Sequence, residues 1–403
     1  MSKPGARLLT TVFLGALVGL ADAQEPGRAP GDPELRRFLV SQRAWADDWL
    51  ERRSAEVPTL DAARSPALAA GFHVLDLAGW SPPLRYVAIV PKTPAPKAGR
   101  PVLVGRNPIL GLPPDELGLR QFYGGFLEEG FTLLVPIRPK YMGVGIEKSS
   151  PERDALGMAH DLLACLLADL ELTSPIDRER VLYLGPWIHQ PIITWPQTWP
   201  NIDVTPFAGL YAMLPGGAWQ GRPPDVRRWQ GRTILFHRSR HNPDRQTLLE
   251  QRLTHLEPPV RIVRHVDRRL DYFGEVVITR EAVRRLTRGV RRPAAADVIE
   301  FLAGGARPSA HEWLDAPGLE EDVRIRAERS GPVIEITTPD AKSRAPFNLD
   351  VWLSKDPGNL TVRFNGRPVH GGPVRNDATN RLRALRHALQ TGRPTFAVLR
   401  IRP

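Results

Sequence analysis

The sequence predicts an α/β fold, a doubly wound and mostly parallel sheet, followed by a small C-terminal β-rich (α+β) domain. Three observations predict it. Short apolar runs bounded by turn residues alternate with helical patterns across residues 71–305. Strands that are apolar on both faces belong to a parallel sheet with helices on each side. Beyond Gly304 the runs alternate apolar and polar and are rich in β-branched and aromatic residues, the pattern of strands with one buried face. The chain has 403 residues, 42% hydrophobic and 25% charged, a length that suits two or three domains with full cores.

The elements follow in order. Lys3 and Arg7 precede an apolar run from Leu8 to Leu20, and Ala21-Asp22-Ala23 supplies a small-x-small site. This is the layout of a secretory signal peptide, and the run is short for a bilayer span. Residues 1–23 are therefore expected to be removed on export to the periplasm or beyond, with no transmembrane segment left after cleavage. Residues 24–70 hold a Pro/Gly-rich tether and a helix opened by Asp32-Pro33-Glu34. Asp caps, Pro suits the first helical position, and Glu meets the positive end of the helix. Trp45, Trp49 and Leu50 fall on its apolar side.

In residues 71–305 strands are expected at Phe72–Leu77, Leu84–Val90, Pro101–Val104, Phe131–Ile137, Val181–Leu184, Phe207–Met213, Thr233–Phe236 and Val260–Val266. Helices are expected at Leu119–Glu129, from Ser150 to Leu170, at Asp244–Leu256 and at Glu281–Leu286. Right-handed crossovers bring the carboxyl ends of such strands to one edge, where loops carry the chemistry. In residues 306–403 strands are expected at Val323–Ala327, Val333–Thr338, Leu349–Leu353, Leu360–Phe364 and Thr395–Ile401, with a helix over Thr379–Leu389. Asn365-Gly366 is a type I′ hairpin signal.

The formal net charge is +11. Its basic residues are mostly arginines spread along the chain with no nucleic-acid motif, so no nucleic-acid partner is expected. The single cysteine, Cys165, forbids an intrachain disulfide and sits among Leu162, Leu163, Leu166 and Leu167 in a helical pattern, so it is expected in the core. No cofactor motif is found. Asn359-Leu-Thr is a formal glycosylation sequon to which little weight attaches.

The most informative stretch runs Asp177-Arg-Glu-Arg-Val-Leu-Tyr-Leu-Gly185. An apolar helix and a Pro175-Ile176-Asp177 connection precede it, and Pro206-Phe207-Ala208-Gly209-Leu210 follows downstream. The stretch resembles the strand that delivers the nucleophile in secreted α/β-hydrolases of the prolyl oligopeptidase, dienelactone hydrolase and feruloyl-esterase-like group. The resemblance covers roughly residues 84–305. It implies an α/β-hydrolase sheet with a Ser turn of the form Gly-x-Ser-x-Gly after the central strand. The later hairpin Val362-Arg-Phe-Asn365-Gly366, with Trp313 upstream, resembles the small domain appended to such hydrolases.

The turn departs from the family pattern. It reads Gly185-Pro186-Trp187-Ile188-His189, so Trp187 holds the serine position and His189 the second glycine. The chemistry needs a small hydroxyl on a strained turn with glycines that let strand and helix approach. After the expected strand at Pro101 the sequence reads Val104-Gly105-Arg106-Asn107-Pro108, without the family's His-Gly pair. The family's acid position carries His241, and the region expected to hold the base reads Asp267-Arg268-Arg269-Leu270-Asp271 without a histidine. Loss at nucleophile, oxyanion loop, acid and base together predicts that acyl transfer has lapsed.

The expected function is that of an exported α/β-hydrolase-fold protein without serine-hydrolase activity, which binds a small molecule, glycan or peptide. Trp187, His189, Trp195 and Trp199 are its candidate binding residues, since exposed indoles stack on sugars or prolines; the competing reading is that these rings fill the vacated pocket. Other readings remain open. One is an active esterase or peptidase with a relocated nucleophile. Ser149 and Ser150 are candidates for that role, but a helix cap accounts for at least one of them. His237 and His241, four apart, would share a helix face as metal ligands, but they follow a strand and lack an accompanying glutamate. A third reading is an anionic-polymer binder driven by net charge.

Overall fold

The computed structural model describes residues 48–53, 68–77, 85–105, 114–137, 161–184, 206–213, 228, 231–239, 260–267, 278–303, 310–317, 319, 323–339 and 347–403. Two sheet-containing units fill these residues. The first is built on an eight-stranded sheet of β1 (Gly71–Asp76), β2 (Arg85–Val90), β3 (Arg100–Val104), β4 (Thr132–Ile137), β5 (Ile176–Leu184), β6 (Gly209–Met213), β7 (Thr233–Ser239) and β8 (Arg261–Asp267). The spatial order is β1-β2-β4-β3-β5-β6-β7-β8. Strands β1 and β2 run antiparallel to each other, and β2 runs antiparallel to β4. From β4 through β8 every neighbouring pair is parallel. This is the mostly parallel sheet of an α/β-hydrolase fold, with β5 at its centre.

The alternation of side chains along each strand divides the core into two layers. Tyr86, Ala88, Val102, Val104, Val181, Tyr183 and Ile234 share one cluster with Trp49 and Leu50 of α1 (residues 48–53) and with Leu166, Leu167 and Leu170 of α3 (Asp161–Thr173). Val87, Ile89, Leu103, Leu182, Leu184 and Leu235 share the other with Phe122 and Phe126 of α2 (Glu116–Glu128) and Val283 and Leu286 of α4 (Arg280–Thr287). Helices therefore cover both faces. Cys165 lies fully buried in the α3 layer. Capping matches the sequence: Asp115 accepts from the Gly118 amide and Thr279 from the Ala282 amide.

Two glycines mark close approaches. A Cβ on Gly209 would sit 2.3 Å from the Thr233 carbonyl oxygen, across the β6–β7 pair. A Cβ on Gly125 would sit 2.1 Å from the Ile278 carbonyl oxygen, where α2 meets the start of α4. The glycine of the Phe207-Ala208-Gly209-Leu210 motif is thus explained by backbone contact.

One expectation needs correction. Pro175-Ile176-Asp177 is not a separate connection before a strand at Val181: β5 already starts at Ile176 and spans nine residues. Arg100 pairs with Ile176 and Val102 with Val181, so a bulge on β5 takes up the extra residues. The Arg100 amide donates to the Pro175 carbonyl at 2.8 Å, which pins the entry.

The second unit contains a five-stranded sheet, β16-β15-β13-β12-β9, and a four-stranded sheet, β10-β11-β14-β17. Its strands are β9 (Val298–Ala303), β10 (Ala310–His311), β11 (Leu314–Asp315), β12 (Val323–Ser330), β13 (Val333–Thr337), β14 (Leu349–Leu353), β15 (Asn359–Phe364), β16 (Arg367–Pro373) and β17 (Ala397–Ile401). Strand β9 pairs with β12, so this sheet takes its first strand upstream of residue 306. Ile325, Ile334, Ile336, Leu314, Val351, Val362 and Ile401 fill the core between the sheets. Asn365 and Gly366 both have positive φ, 48° and 79°, as the I′ turn joining β15 to β16 requires. Helix α5 (Ala378–Thr391) is capped by Asp377 and ends on Gly392 at φ 65°. Among the described residues no helix is long and apolar enough to cross a membrane.

Candidate functional site at the carboxyl edge of the sheet

In a sheet of this topology the loops at the carboxyl ends of the parallel strands form the ligand site. Those ends are fixed here by Val104 of β3, Leu184 of β5, Met213 of β6, Ser239 of β7 and Asp267 of β8. Leu184 is buried, and it packs in the α2/α4 layer. The fold therefore delivers the chain to the position expected of the nucleophile turn. Gly105, just past β3, is boxed in: a Cβ there would meet Leu133 Cδ1 at 2.9 Å and the Tyr123 ring at 3.0 Å. The turn residues Gly185, Trp187 and His189, the candidate binding residues Trp195 and Trp199, the acid position His241 and the base-region Asp271 lie outside the described residues. So do Ser149 and Ser150.

Strand register brings together a set that was not grouped in the sequence. In the parallel β7–β8 pair His237 stands opposite His265, and Ser239 opposite Asp267. Residues two apart on a strand share a face. Two histidines, a serine and an aspartate thus occupy adjacent register positions at the carboxyl end of one sheet face, on strands about 4.8 Å apart. The spacing His237-x-Ser239 and His265-x-Asp267 was visible in sequence, but only the register aligns the two pairs. His265 is part-buried. His237 lies within β7, not on a helix, and His241 lies outside the described residues. Among the described residues no group of three His, Cys, Asp or Glu is placed to hold a metal ion.

A second polar feature lies within the α3 layer. The Tyr86 hydroxyl donates to Asp169 Oδ2 at 2.8 Å, and both residues are buried. Burial pushes the Asp169 carboxyl above the usual carboxylate range, opposed by the Tyr86 hydrogen bond and the nearby Arg53. Burial and the Asp169 charge push the Tyr86 hydroxyl far up as well. This pair joins β2 to α3 and contributes a buried tie, not an edge group. Its sequence signal was slight: Asp169 is an acid in an otherwise apolar helical run.

No family model matches the chain, and no curated protein matches it. Solved structures similar to it are α/β-hydrolases. An α/β serine hydrolase without a lid from Xanthomonas campestris is 16% identical, covering 57% of this chain and all of its own, with a TM-score of 0.33. Esterase 2 of Thermogutta terrifontis is 11% identical, covering 57% and 100%, with a TM-score of 0.35. Dipeptidyl peptidase 4 of Porphyromonas gingivalis is 13% identical over 49% of this chain and 32% of its own, with a TM-score of 0.33. On its own strand order and two-layer packing, the chain is a protein of the α/β-hydrolase fold.

Proposed function

We propose that the chain is an exported, periplasmic or extracellular protein of the α/β-hydrolase fold that has lost serine-hydrolase activity and binds a small molecule, glycan or peptide at the carboxyl edge of its sheet. One observation carries the reading. Strand β5 ends at Leu184 in the centre of the sheet, and the next five residues, Gly185-Pro186-Trp187-Ile188-His189, contain no hydroxyl or thiol. An acyl-transfer nucleophile at that position is therefore missing from the covalent structure itself, whatever the loop conformation. Pro186 also removes one backbone N–H from the turn and fixes its own φ, which the family's pattern does not require. Trp187, Trp195 and Trp199 offer stacking surfaces for sugar rings or prolines.

A second reading is favoured by the β7–β8 register. In backbone register Ser239 pairs with Asp267 and His237 with His265, which puts the residue types of a nucleophile, a base and an orienting acid at paired positions on neighbouring strands. In that reading the chain is an active hydrolase with its nucleophile moved from β5 to β7. The test is turnover of an activated acyl ester by the purified chain. The first reading predicts a rate equal to that of a Ser239→Ala variant and of buffer. The second predicts a rate above buffer that Ser239→Ala abolishes.

A further inference from the structure

Of the asparagines in the chain, Asn365 alone is followed by glycine. An asparagine carboxamide is open to attack by the backbone nitrogen of the next residue, and a glycine there has no Cβ to crowd the approach. Every other asparagine precedes a proline, which offers no amide hydrogen, or a residue with a side chain. Asn365 and Gly366 are both exposed at the tip of the β15–β16 hairpin. A Cβ built on Gly366 would meet nothing within 4 Å, so the turn stands open to water.

The carboxamide itself is held. Its Oδ1 accepts from the Thr338 backbone N–H at 3.0 Å, and its Nδ2 donates to the Thr338 hydroxyl at 3.1 Å. Thr338, the residue after β13, is buried. The reason for the contact lies in strand register. In the parallel β13–β15 pair Ile336 stands opposite Phe364, and the Asn365 N–H donates to the Ile336 carbonyl at 2.8 Å. There the chain turns away at φ 48°. The Asn365 side chain takes the place of the next peptide group and continues the ladder to Thr338. Asparagine suits both tasks, since it tolerates a left-handed backbone and carries a donor and an acceptor.

We propose that Asn365 is the chain's site of spontaneous deamidation and that Thr338 is the clamp that restrains it. In the reaction the Gly366 nitrogen forms a bond to Asn365 Cγ, the Cγ–Nδ2 bond breaks, and ammonia leaves with the proton that the nitrogen gave up. Water then opens the resulting succinimide at either carbonyl. The product is aspartate or, with the main chain rerouted through the side chain, isoaspartate. The carboxamide must leave Thr338 to reach the Gly366 nitrogen, so both hydrogen bonds break before the ring closes. A hydrogen bond of ordinary strength slows such a step about fivefold, and the pair roughly thirtyfold. Either product puts a carboxylate where Nδ2 donated to the Thr338 hydroxyl. Isoaspartate also lengthens the main chain at the turn that fixes the β15–β16 register. Strand β16, the last in its sheet, is the element this loosens.

The test is incubation of the full chain in mildly alkaline buffer, folded and, in parallel, unfolded in guanidinium chloride. Conversion is read by mass spectrometry of the tryptic peptide 364–375, from the mass gained when an amide becomes an acid. The unfolded chain should convert at Asn365 ahead of every other asparagine, and the folded chain about thirtyfold more slowly. A folded rate equal to the unfolded one overturns the clamp. A faster one overturns it too, by making the Thr338 N–H a donor that activates the carboxamide. An unfolded chain that converts first elsewhere overturns Asn365 as the site. Thr338→Val keeps the backbone donor and removes the hydroxyl, so its folded form should convert about fivefold faster than the wild-type chain. The wild-type rate in a folded Thr338→Val protein would overturn the part given to the hydroxyl. If that variant does not fold, the comparison of folded and unfolded wild-type chain still decides.

Discussion

Replacing Glu312 by glutamine asks how much the contact between the two units depends on one buried carboxylate, which accepts from Arg232, just before β7, and lies 3.1 Å from Arg393. Arg232 and Glu312 are 1% and 4% exposed, so the ion pair is withdrawn from water. Glu312 also sits at φ 54°, a strained setting for a residue with a side chain, in the tight turn between β10 and β11. Glutamine preserves the shape and one accepting oxygen but leaves the Arg232 charge without a counter-ion, near Arg228 and Arg393. Breaking one partner of a buried pair costs about 3–5 kcal/mol; with one hydrogen bond retained, about 3 kcal/mol is expected. In urea unfolding, with a slope of about 3 kcal/mol/M for a chain of this size, the midpoint should fall by about 1 M. Two probes serve: near-UV dichroism, and the fluorescence of the buried Trp313, whose indole donates to the Ala296 carbonyl at 2.7 Å. The double change Glu312→Gln with Arg232→Met removes the orphaned charge and should recover most of the loss. An unchanged midpoint for Glu312→Gln, or a double variant weaker than the sum of the singles, would refute the reasoning.

Other outcomes follow from the same contacts. Gly125→Ala drives a methyl to 2.1 Å from the Ile278 carbonyl oxygen; overpacking of about 3 kcal/mol outweighs the roughly 1 kcal/mol gain in helix propensity, so the thermal midpoint should drop. Tyr86→Phe leaves the buried Asp169 carboxylate short of a donor and should cost about 2 kcal/mol in chemical unfolding. The raised Asp169 carboxyl makes its contribution to stability increase as pH falls through its folded value; Asp169→Asn should remove that part of the pH profile. Trp195→Ala should abolish retention on immobilised oligosaccharide or proline-rich peptide without lowering stability; unchanged retention with lowered stability would assign that ring to filling the pocket.

The sheet domain was legible because its strands carry their signal locally. Leu349–Leu353 in the second unit was read to the residue, and β2, β3 and β4 to within one residue at either end, since apolar runs between turns leave little choice. Strand β9 was missed although Val298-Ile-Glu-Phe-Leu-Ala303 alternates, because its partner, β12, lies beyond the boundary drawn at 305. Strand β16, Arg367-Pro-Val-His-Gly-Gly-Pro373, has the glycines and prolines of a loop and is a strand through its pairing with β15 at the sheet edge. The two-residue strands β10 and β11 have no local signature at all. At the candidate site, the departure of Gly185-Pro186-Trp187-Ile188-His189 from Gly-x-Ser-x-Gly is a linear sequence pattern on residues outside the described ones; the alignment of Ser239 with Asp267 depends on register across two strands and has no local signature. The arginines that form a compositional feature in the sequence include Arg228, Arg232 and Arg292, which are buried, a distinction that depends on contacts 74 to 113 residues away in sequence.

The most direct measurement is the intact mass of the purified chain after exposure to a fluorophosphonate, which derivatises only a serine activated by its surroundings. An unshifted mass, with the purified chain folded, is the result expected of a protein whose central strand is followed in sequence by Gly185-Pro186-Trp187-Ile188-His189. A mass increase of one phosphonyl group that vanishes in Ser239→Ala would contradict it and move the chemistry to the β7–β8 pair.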